Sequence, residues 1–260
     1  MVTSVCAPTV SAAWCAAVHA ARAAPGHRLF HLVVTIADPL AEDAETRREV
    51  DALLDGPGLQ PLHTVANTIM PAQLAGLCAS HDELVARYRA MYPRICRFPK
   101  NQWGTYFGRL VAYPIGHGKR PAPVDQLGPV IQGLRAARVV ATQYETAVAT
   151  AHEDDQTGPE LGVGTVIHHP TRGQRGRGGP CLSHLAFQRD GERVHAVAYY
   201  RSHYLIERAY GNYLGLGWLL RYIAERADLG VGELTVVAGF AQLDQALSQT
   251  DWALANLTPT

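Results

Sequence analysis

The chemistry of this chain starts at Cys181, which follows Gly178-Gly179-Pro180 and stands twenty positions before the pair Arg201-Ser202. A cysteine attacks as its thiolate, and a guanidinium beside it both lowers the thiol pKa and clamps an oxyanion through two parallel hydrogen bonds. Between the two lie LSHLAFQR and RVHAVAYYRS, alternating segments that flank Asp190-Gly191, a strong hairpin signal. A ribbon folded at that turn brings Arg201 back toward Cys181. Eleven residues beyond the arginine, Asn212 carries a donor and an acceptor on one amide, which suits it to read the edge of a heterocyclic base. Each residue also has an ordinary reading: Cys181 as a small buried hydrophobe, Arg201-Ser202 as a strand end, Asn212 as a polar residue at a helix start.

Other reactive side chains form weaker patterns. His184, His195 and His203 fall on the hairpin segment or just after it, as general acids or as half-buried strand histidines. His168-His169 lack a third metal ligand. The basic run 172–177 reads either as a lid over a phosphate or as a solvated loop, and Trp103, Tyr106 and Phe107 either as a stacking wall or as core. The five cysteines are an odd number without metal-ligand spacing, so free thiols are expected.

The elements that must position these groups follow from patterning. Ala-rich 11–24 predicts a helix ended by Pro25-Gly26, apolar 28–39 a strand, and charged 41–54 a helix stopped by Gly56-Pro57-Gly58. Residues 71–93 predict a helix broken near Ser80; 98–123 read as loop, short strand and loop; 124–135 predict a helix and 137–144 a strand. The Gly-, His- and Arg-rich stretch 151–180 reads as a long loop. Residues 205–230 are apolar on nearly every face, which predicts a helix buried through the core, followed by a strand in GELTVVAGFAQ. Strands and helices alternate without regular βαβ repetition, so the expected class is α+β.

With 260 residues, 47% of them hydrophobic, the chain can bury a large core, and a single domain over 1–260 is the simplest expectation. Basic and acidic residues balance at 23 each, which argues against a global pull toward nucleic acid or an anionic membrane and makes any anion site local. No apolar run is long enough to span a bilayer, and residues 1–24 lack the basic start and continuous apolar stretch of a secretion signal, so a cytoplasmic location is expected.

Pro180-Cys181, Arg201-Ser202, Asn212 and the segment DLGVGELTVVAG together resemble the thymidylate synthases and their relatives, the pyrimidine nucleotide hydroxymethylases. In that family a Pro-Cys supplies the nucleophile, Arg-Ser follows twenty positions on, and the base-reading asparagine eleven after that. Looser likenesses lie upstream: GTYFGRL resembles the family's Gly-Pro-x-Tyr-Gly segment, with Phe107 at the tyrosine position and Tyr106 beside it. VDQLGPVIQGLR resembles its Asp-Gln-Ile/Leu helix, and Arg138 the arginine that reaches into the neighbouring subunit's phosphate site. The resemblance implies a large mixed sheet packed on a long buried helix, a homodimer, a pyrimidine nucleotide substrate and 5,10-methylenetetrahydrofolate as carbon donor. It assigns catalysis to Cys181, Asn212 and Tyr106, and substrate or phosphate binding to Arg201, Ser202, Arg138, Gln242 and Asp244, the last two standing where the family's Gly-Asp-x-His-x-Tyr holds base and ribose. The chain departs from the family at Tyr204, where a folate-contacting aspartate stands, at residues 207–211, and in lacking an evident Arg-Thr-Gly-Thr phosphate loop. The general base has no counterpart, with Glu45, Glu49 and Glu83 as candidates.

Thiolate addition at C6 makes C5 of a pyrimidine nucleophilic, and capture of a one-carbon unit there ends as hydroxymethylation by water or methylation by hydride; the chain's shortened end favours the former. Two other readings compete: an enzyme of the same fold acting on another nucleotide-like or heterocyclic substrate without folate, and a nucleotide-binding module without catalysis.

Overall fold

The computed structural model describes residues 2–56, 58–102, 104–115, 122–136, 164–166 and 180–245. Its scaffold is a mixed sheet in the order β1-β2-β9-β7-β6-β5, with β8 paired to β9. The strands are β1 (Thr3–Thr9), β2 (Arg28–Asp38), β5 (Gly164–Val166), β6 (Leu182–Asp190), β7 (Arg193–Tyr200), β8 (His203–Tyr204) and β9 (Gly230–Gln242). β1 runs parallel to β2 and β7 parallel to β9, while β2–β9, β5–β6 and β6–β7 are antiparallel. A separate pair joins β3 (Tyr113–Ile115) to β4 (Ala122–Val124). The class is α+β, as the order of elements predicts.

Period-two patterning gives the sheet one oily face. Leu32, Val34 and Ile36 of β2, Leu234, Val236 and Ala238 of β9, and Ala196, Ala198 and Tyr200 of β7 are all buried. Against that face pack α1 (Val10–Ala23) and α8 (Tyr210–Arg226). α8 is apolar all round because it is surrounded: α1, α3 (Leu62–Ile69) and α7 (Leu127–Arg135) contact it as well as β7 and β9. Close approach is built into its glycines. A Cβ on Gly215 would lie 2.6 Å from the Ala66 carbonyl oxygen, and one on Gly217 only 2.2 Å from that of Pro39.

Most expected elements appear within a few residues of their predicted bounds, including α2 (Ala44–Leu53), and Asp190-Gly191 makes the β6–β7 turn with Gly191 at φ +55°. Ser80 divides the 71–93 segment into α4 (Ala72–Gly76) and α5 (His81–Ile95), its hydroxyl accepting from Glu83 N as a helix cap. Four readings need correction. The 98–123 segment holds a helix, α6 (Tyr106–Val111), because Thr105 caps it through Gly108 N and Phe107, Leu110 and Val111 enter the core. β1 and α3 had no clear pattern in the sequence. The predicted helix at 205 begins as a turn of π-helix, Leu205–Ala209, before α8. Within the stretch read as a long loop, 164–166 pairs with β6; the rest of it before 180, with the predicted strand 137–144, lies outside the described residues.

Gly217→Ala tests the packing of α8. Helix propensity alone would stabilise the variant by about 1 kcal/mol. The clash with a backbone carbonyl should instead yield a net loss of about 1–3 kcal/mol in urea unfolding.

Candidate active site

The β6–β7 ladder continues past its last strand pair. Arg201 N donates to Cys181 O at 2.9 Å, which fixes the two residues opposite each other at the open end of the hairpin. A bulge at Ser183 sets the register: Leu182 pairs with Tyr200 and His184 with Tyr199, so Leu182 and Leu185 both enter the core although three residues apart. Cys181 is half-buried, and the positive charge of the Arg201 guanidinium acts on its sulfur. The two residues singled out by spacing therefore do meet.

Cys181 forms part of the wall of a cavity of about 290 Å³. Ser202, His203 and Tyr204 enter from the end of the ribbon, Arg208 from the π-helical turn, Asn212 from α8, and Tyr106 and Arg109 from α6. The π-turn widens the chain just where it passes the cavity, a placement common at functional sites. Gln60, Thr68, Lys100, Asn101 and Thr105 add to the polar lining.

Burial pushes the Cys181 thiol above its ordinary value, and the guanidiniums of Arg201 and Arg208 pull it back only in part. The thiol therefore rests protonated at neutral pH, against the expectation that Arg201 would hold a thiolate. Desolvation is the larger effect because the sulfur sits against the core. Tyr106, next to it, receives a long hydrogen bond of 3.5 Å from Leu182 N, and burial raises its phenol to about 12, which keeps it a proton donor. Its neighbour Phe107 is fully buried, edge-on to Tyr88 with ring centroids 4.7 Å apart, and belongs to the core.

Asn212 is 4% exposed, and its Nδ2 donates to Nε2 of His203 at 3.0 Å. Since that nitrogen accepts, the single proton of the neutral imidazole lies on Nδ1, which has no partner among the described residues. His203 is stacked on Tyr200 with centroids 4.3 Å apart and planes 10° from parallel, and stands edge-on to Tyr213. Burial lowers its pKa to about 3, so it stays uncharged. The pair leaves Asn212 Oδ1 and one Nδ2 hydrogen uncommitted to His203. His203 entered the sequence reading only as a possible acid; its role as the partner that orients Asn212 depends on contacts invisible in sequence.

Other expected site residues lie elsewhere. Asp244 turns its carboxylate onto the start of the π-helical turn, accepting from Ile206 N at 2.9 Å and Glu207 N at 3.0 Å; burial raises it to about 6 despite those donors. Gln242 ends β9 beside Tyr204 in the ladder and is not among the cavity's lining residues. Arg138, His168-His169, Trp103 and the basic run 172–177 fall outside the described residues. None of the candidate bases reaches the cavity: Glu83 accepts from Ala79 N and pairs with Arg87, Glu45 is exposed beside Arg48, and Glu49 lies on α2 away from the lining. His195 Nδ1 accepts from Glu233 N, and His184 is half-buried on the sheet with its pKa lowered by burial. Lys100, Arg109 and Arg208 were missed in the sequence, where nothing separates them from other surface cations.

No family model and no curated protein sequence matches the chain. Among the described residues, no cluster of histidine, cysteine and carboxylate could hold a metal, and no helix is long and apolar enough to cross a membrane.

The buried imidazole carries a pH signature. The folded ring takes up a proton only near pH 3, whereas an unfolded one does so near 6.5. The unfolded state thus binds more protons between those values, so His203's contribution is complete above pH 6.5 and declines as pH falls toward 3. Stability should drop over that window by up to about 1.4 kcal/mol per pH unit from this group, with a shallower slope in His203→Phe, measured by denaturant titration at each pH.

Proposed function

We propose that the chain is an enzyme that adds the Cys181 thiolate to C6 of a pyrimidine nucleotide, or a closely related heterocycle, and thereby activates C5 toward a one-carbon electrophile. One observation carries the reading: Cys181, paired with Arg201 across the ribbon, shares a single cavity wall with Ser202 and Asn212. The sulfur would bond to C6, the C5=C6 electron pair would move onto C5, and C5 would take up the electrophile. Loss of the original C5 proton then expels the thiolate and restores the double bond. Arg201 and Arg208 stabilise the sulfur anion at the start and end of that cycle. Tyr106 stays protonated and is the hydroxyl available to donate to the ring's developing negative charge. Asn212, oriented by His203, reads the base edge.

Hydroxymethyl transfer is the favoured outcome over methylation. Methylenetetrahydrofolate, the donor implied by the resemblance, lacks a fitted site among the described residues. No carboxylate among the described residues lines the cavity to meet the amino and ring N–H groups of a pterin, and about 290 Å³ lies at the lower bound for one ligand.

The outer face of the sheet favours the proposed homodimer. Val33, Val237 and Tyr199 lie side by side across β2, β9 and β7, next to the ring contact of Phe30 with Phe240, and no described helix covers them. Phe30 is 60% exposed and Tyr199 41%. An apolar stripe of this kind on a soluble protein marks an association surface. Sedimentation equilibrium should give a dimer, and Val237→Lys should shift it toward monomer.

The chemistry can be tested without a carbon donor. If a solvent proton instead of an electrophile adds at C5, reversal exchanges the C5 hydrogen with water. Incubation of UMP, dUMP, CMP and dCMP tritiated at C5 should release tritium for at least one nucleotide, and Cys181→Ser should abolish the release. A 5-fluoropyrimidine nucleotide should leave a mass adduct on Cys181. Because the resting thiol is protonated, release should rise with pH above neutrality, and Arg201→Met should move that rise to higher pH. Absence of both release and adduct with every nucleotide would favour the binding-module alternative.

A further inference from the structure

Along α8 from Asn212 to Tyr222, about 15 Å at 1.5 Å per residue, the helix reaches a second group of reactive side chains. The Tyr222 hydroxyl lies 3.0 Å from Nδ1 of His81, the first residue of α5. His81 Nε2 in turn lies 2.7 Å from Oδ2 of Asp125, just before α7. A carboxylate can only accept, so in the neutral imidazole Nε2–H donates to Asp125 and Nδ1 accepts from the Tyr222 phenol. The carboxylate is itself fixed, its oxygens accepting from Leu127 N at 3.0 Å and Gly128 N at 3.1 Å. Gly128 makes the room, since a Cβ there would lie 2.7 Å from Asp125 Oδ2. A hydroxyl held on a base that a third group orients is the arrangement that activates a nucleophile. A plain tie between helices would be made as well by apolar side chains, without drawing charge into a place where the His81 side chain is only 13% exposed.

Tyr222 also forms part of the wall of a second cavity, of about 390 Å³, between α4 and the C-terminal half of α8. Met70, Ala72, Ala75 and Trp218 give it an apolar side, and Arg221, Glu225 and Arg226 a charged one. Arg221 and Glu225 face each other at 3.8 Å, while Arg226 is anchored by donating to the carbonyls of Ala79 at 3.0 Å and Cys78 at 3.3 Å. The Arg226 guanidinium lies 5.4 Å from the centre of the Tyr222 ring. Burial raises the Tyr222 phenol to about 12 and Arg226 draws it back in part, so the hydroxyl rests protonated, with a cation beside it to meet developing negative charge.

We propose that Tyr222, with His81 as its base, Asp125 orienting that base and Arg226 facing the developing oxyanion, is a second nucleophilic centre, which accepts the acyl group of a small apolar ester. Tyr222 Oη bonds to the acyl carbon, its proton passes to His81 Nδ1, and the carbonyl π electrons move onto oxygen beside Arg226. As the carbonyl re-forms, the ester C–O bond breaks and the leaving alkoxide takes the proton from His81. Water then attacks the acyl-tyrosine and gives a proton to His81, which returns it to the departing phenolate as the carboxylic acid leaves. The apolar side of the cavity selects the acyl chain, and the volume suits a small ligand. This centre stands independently of the chemistry at Cys181.

The full chain incubated with diisopropyl fluorophosphate tests the nucleophile: an activated hydroxyl forms an O–P bond with loss of fluoride, and peptide mass locates it. Tyr222 should react about a hundredfold faster than N-acetyltyrosinamide, the lower end of what a positioned base contributes. His81→Gln should bring the rate near that of the free phenol, and Asp125→Asn should lower it about tenfold. Incubation with p-nitrophenyl butyrate should leave a butyryl group on Tyr222, which peptide mass distinguishes from one on Cys181. Circular dichroism checks that the variants fold, and the wild-type rate decides without any variant. A wild-type Tyr222 no faster than N-acetyltyrosinamide, or a rate that folded His81→Gln leaves unchanged, overturns the nucleophile and leaves a structural tie. A fast fluorophosphate reaction with no butyryl group on Tyr222 overturns the ester assignment.

Discussion

The arrangement depends on one backbone hydrogen bond, from Arg201 N to Cys181 O at the open end of a hairpin. It extends the β6–β7 ladder by one rung and locks a guanidinium beside a sulfur that sequence places twenty residues away. A register slip of one residue would turn Arg201 to the opposite face. The Ser183 bulge guards against that slip, because it alone reconciles buried Leu182 with buried Leu185 on a strand whose side chains otherwise alternate. Core packing thus sets the register, and the register sets the chemistry.

Behind that rung the structure is rigid in the places where a site needs rigidity. α8 runs through the core with Gly215 and Gly217 pressed against backbone carbonyls, so Asn212, one turn upstream, has little freedom to shift. Its amide is held further by His203, which is clamped between the rings of Tyr200 and Tyr213 and kept neutral by burial. Trp14 Nε1 donates to the Leu205 carbonyl at 2.7 Å, and Asp244 takes two amide hydrogens at the same turn. The π-helical turn is therefore tied from two sides, and it presents Arg208 to the cavity from a fixed base. Asp244, expected to bind substrate, contributes to the site indirectly by holding this turn.

Electrostatics in the cavity is a contest between desolvation and cations. Burial wins at the sulfur, so the thiol rests protonated, yet the neighbouring guanidiniums lessen the cost of ionising it. Among the described residues no carboxylate lines the cavity, so none of them offers an acidic general base there. The phenols of Tyr106 and Tyr204 and the hydroxyl of Ser202 are among the groups that the described lining offers for proton movement around a bound ring.

Much of the fold was legible because it rests on periodic signals: the Ala-rich α1, the alternating β2, β6 and β7, the turn at Asp190-Gly191, and the all-round apolar α8 each declare themselves locally. α6 was not legible, since its six residues are too few for a period and its cap, Thr105, is held in place by the Tyr88 hydroxyl at 2.6 Å, a contact between distant segments. β1 and α3 escaped for a related reason: β1 alternates half-buried and exposed residues at the edge of the sheet, and α3 owes its burial to α8. For the site, the sequence by itself determined the ribbon, the spacing of Cys181, Arg201, Ser202 and Asn212, and so their meeting at one end of it. Only tertiary structure decided that His203 orients Asn212, that Asp244 caps a helix, and that Lys100, Arg109 and Arg208 surround one cavity. Spacing encodes geometry along a regular element, whereas charge balance and desolvation arise between elements brought together from distant parts of the chain.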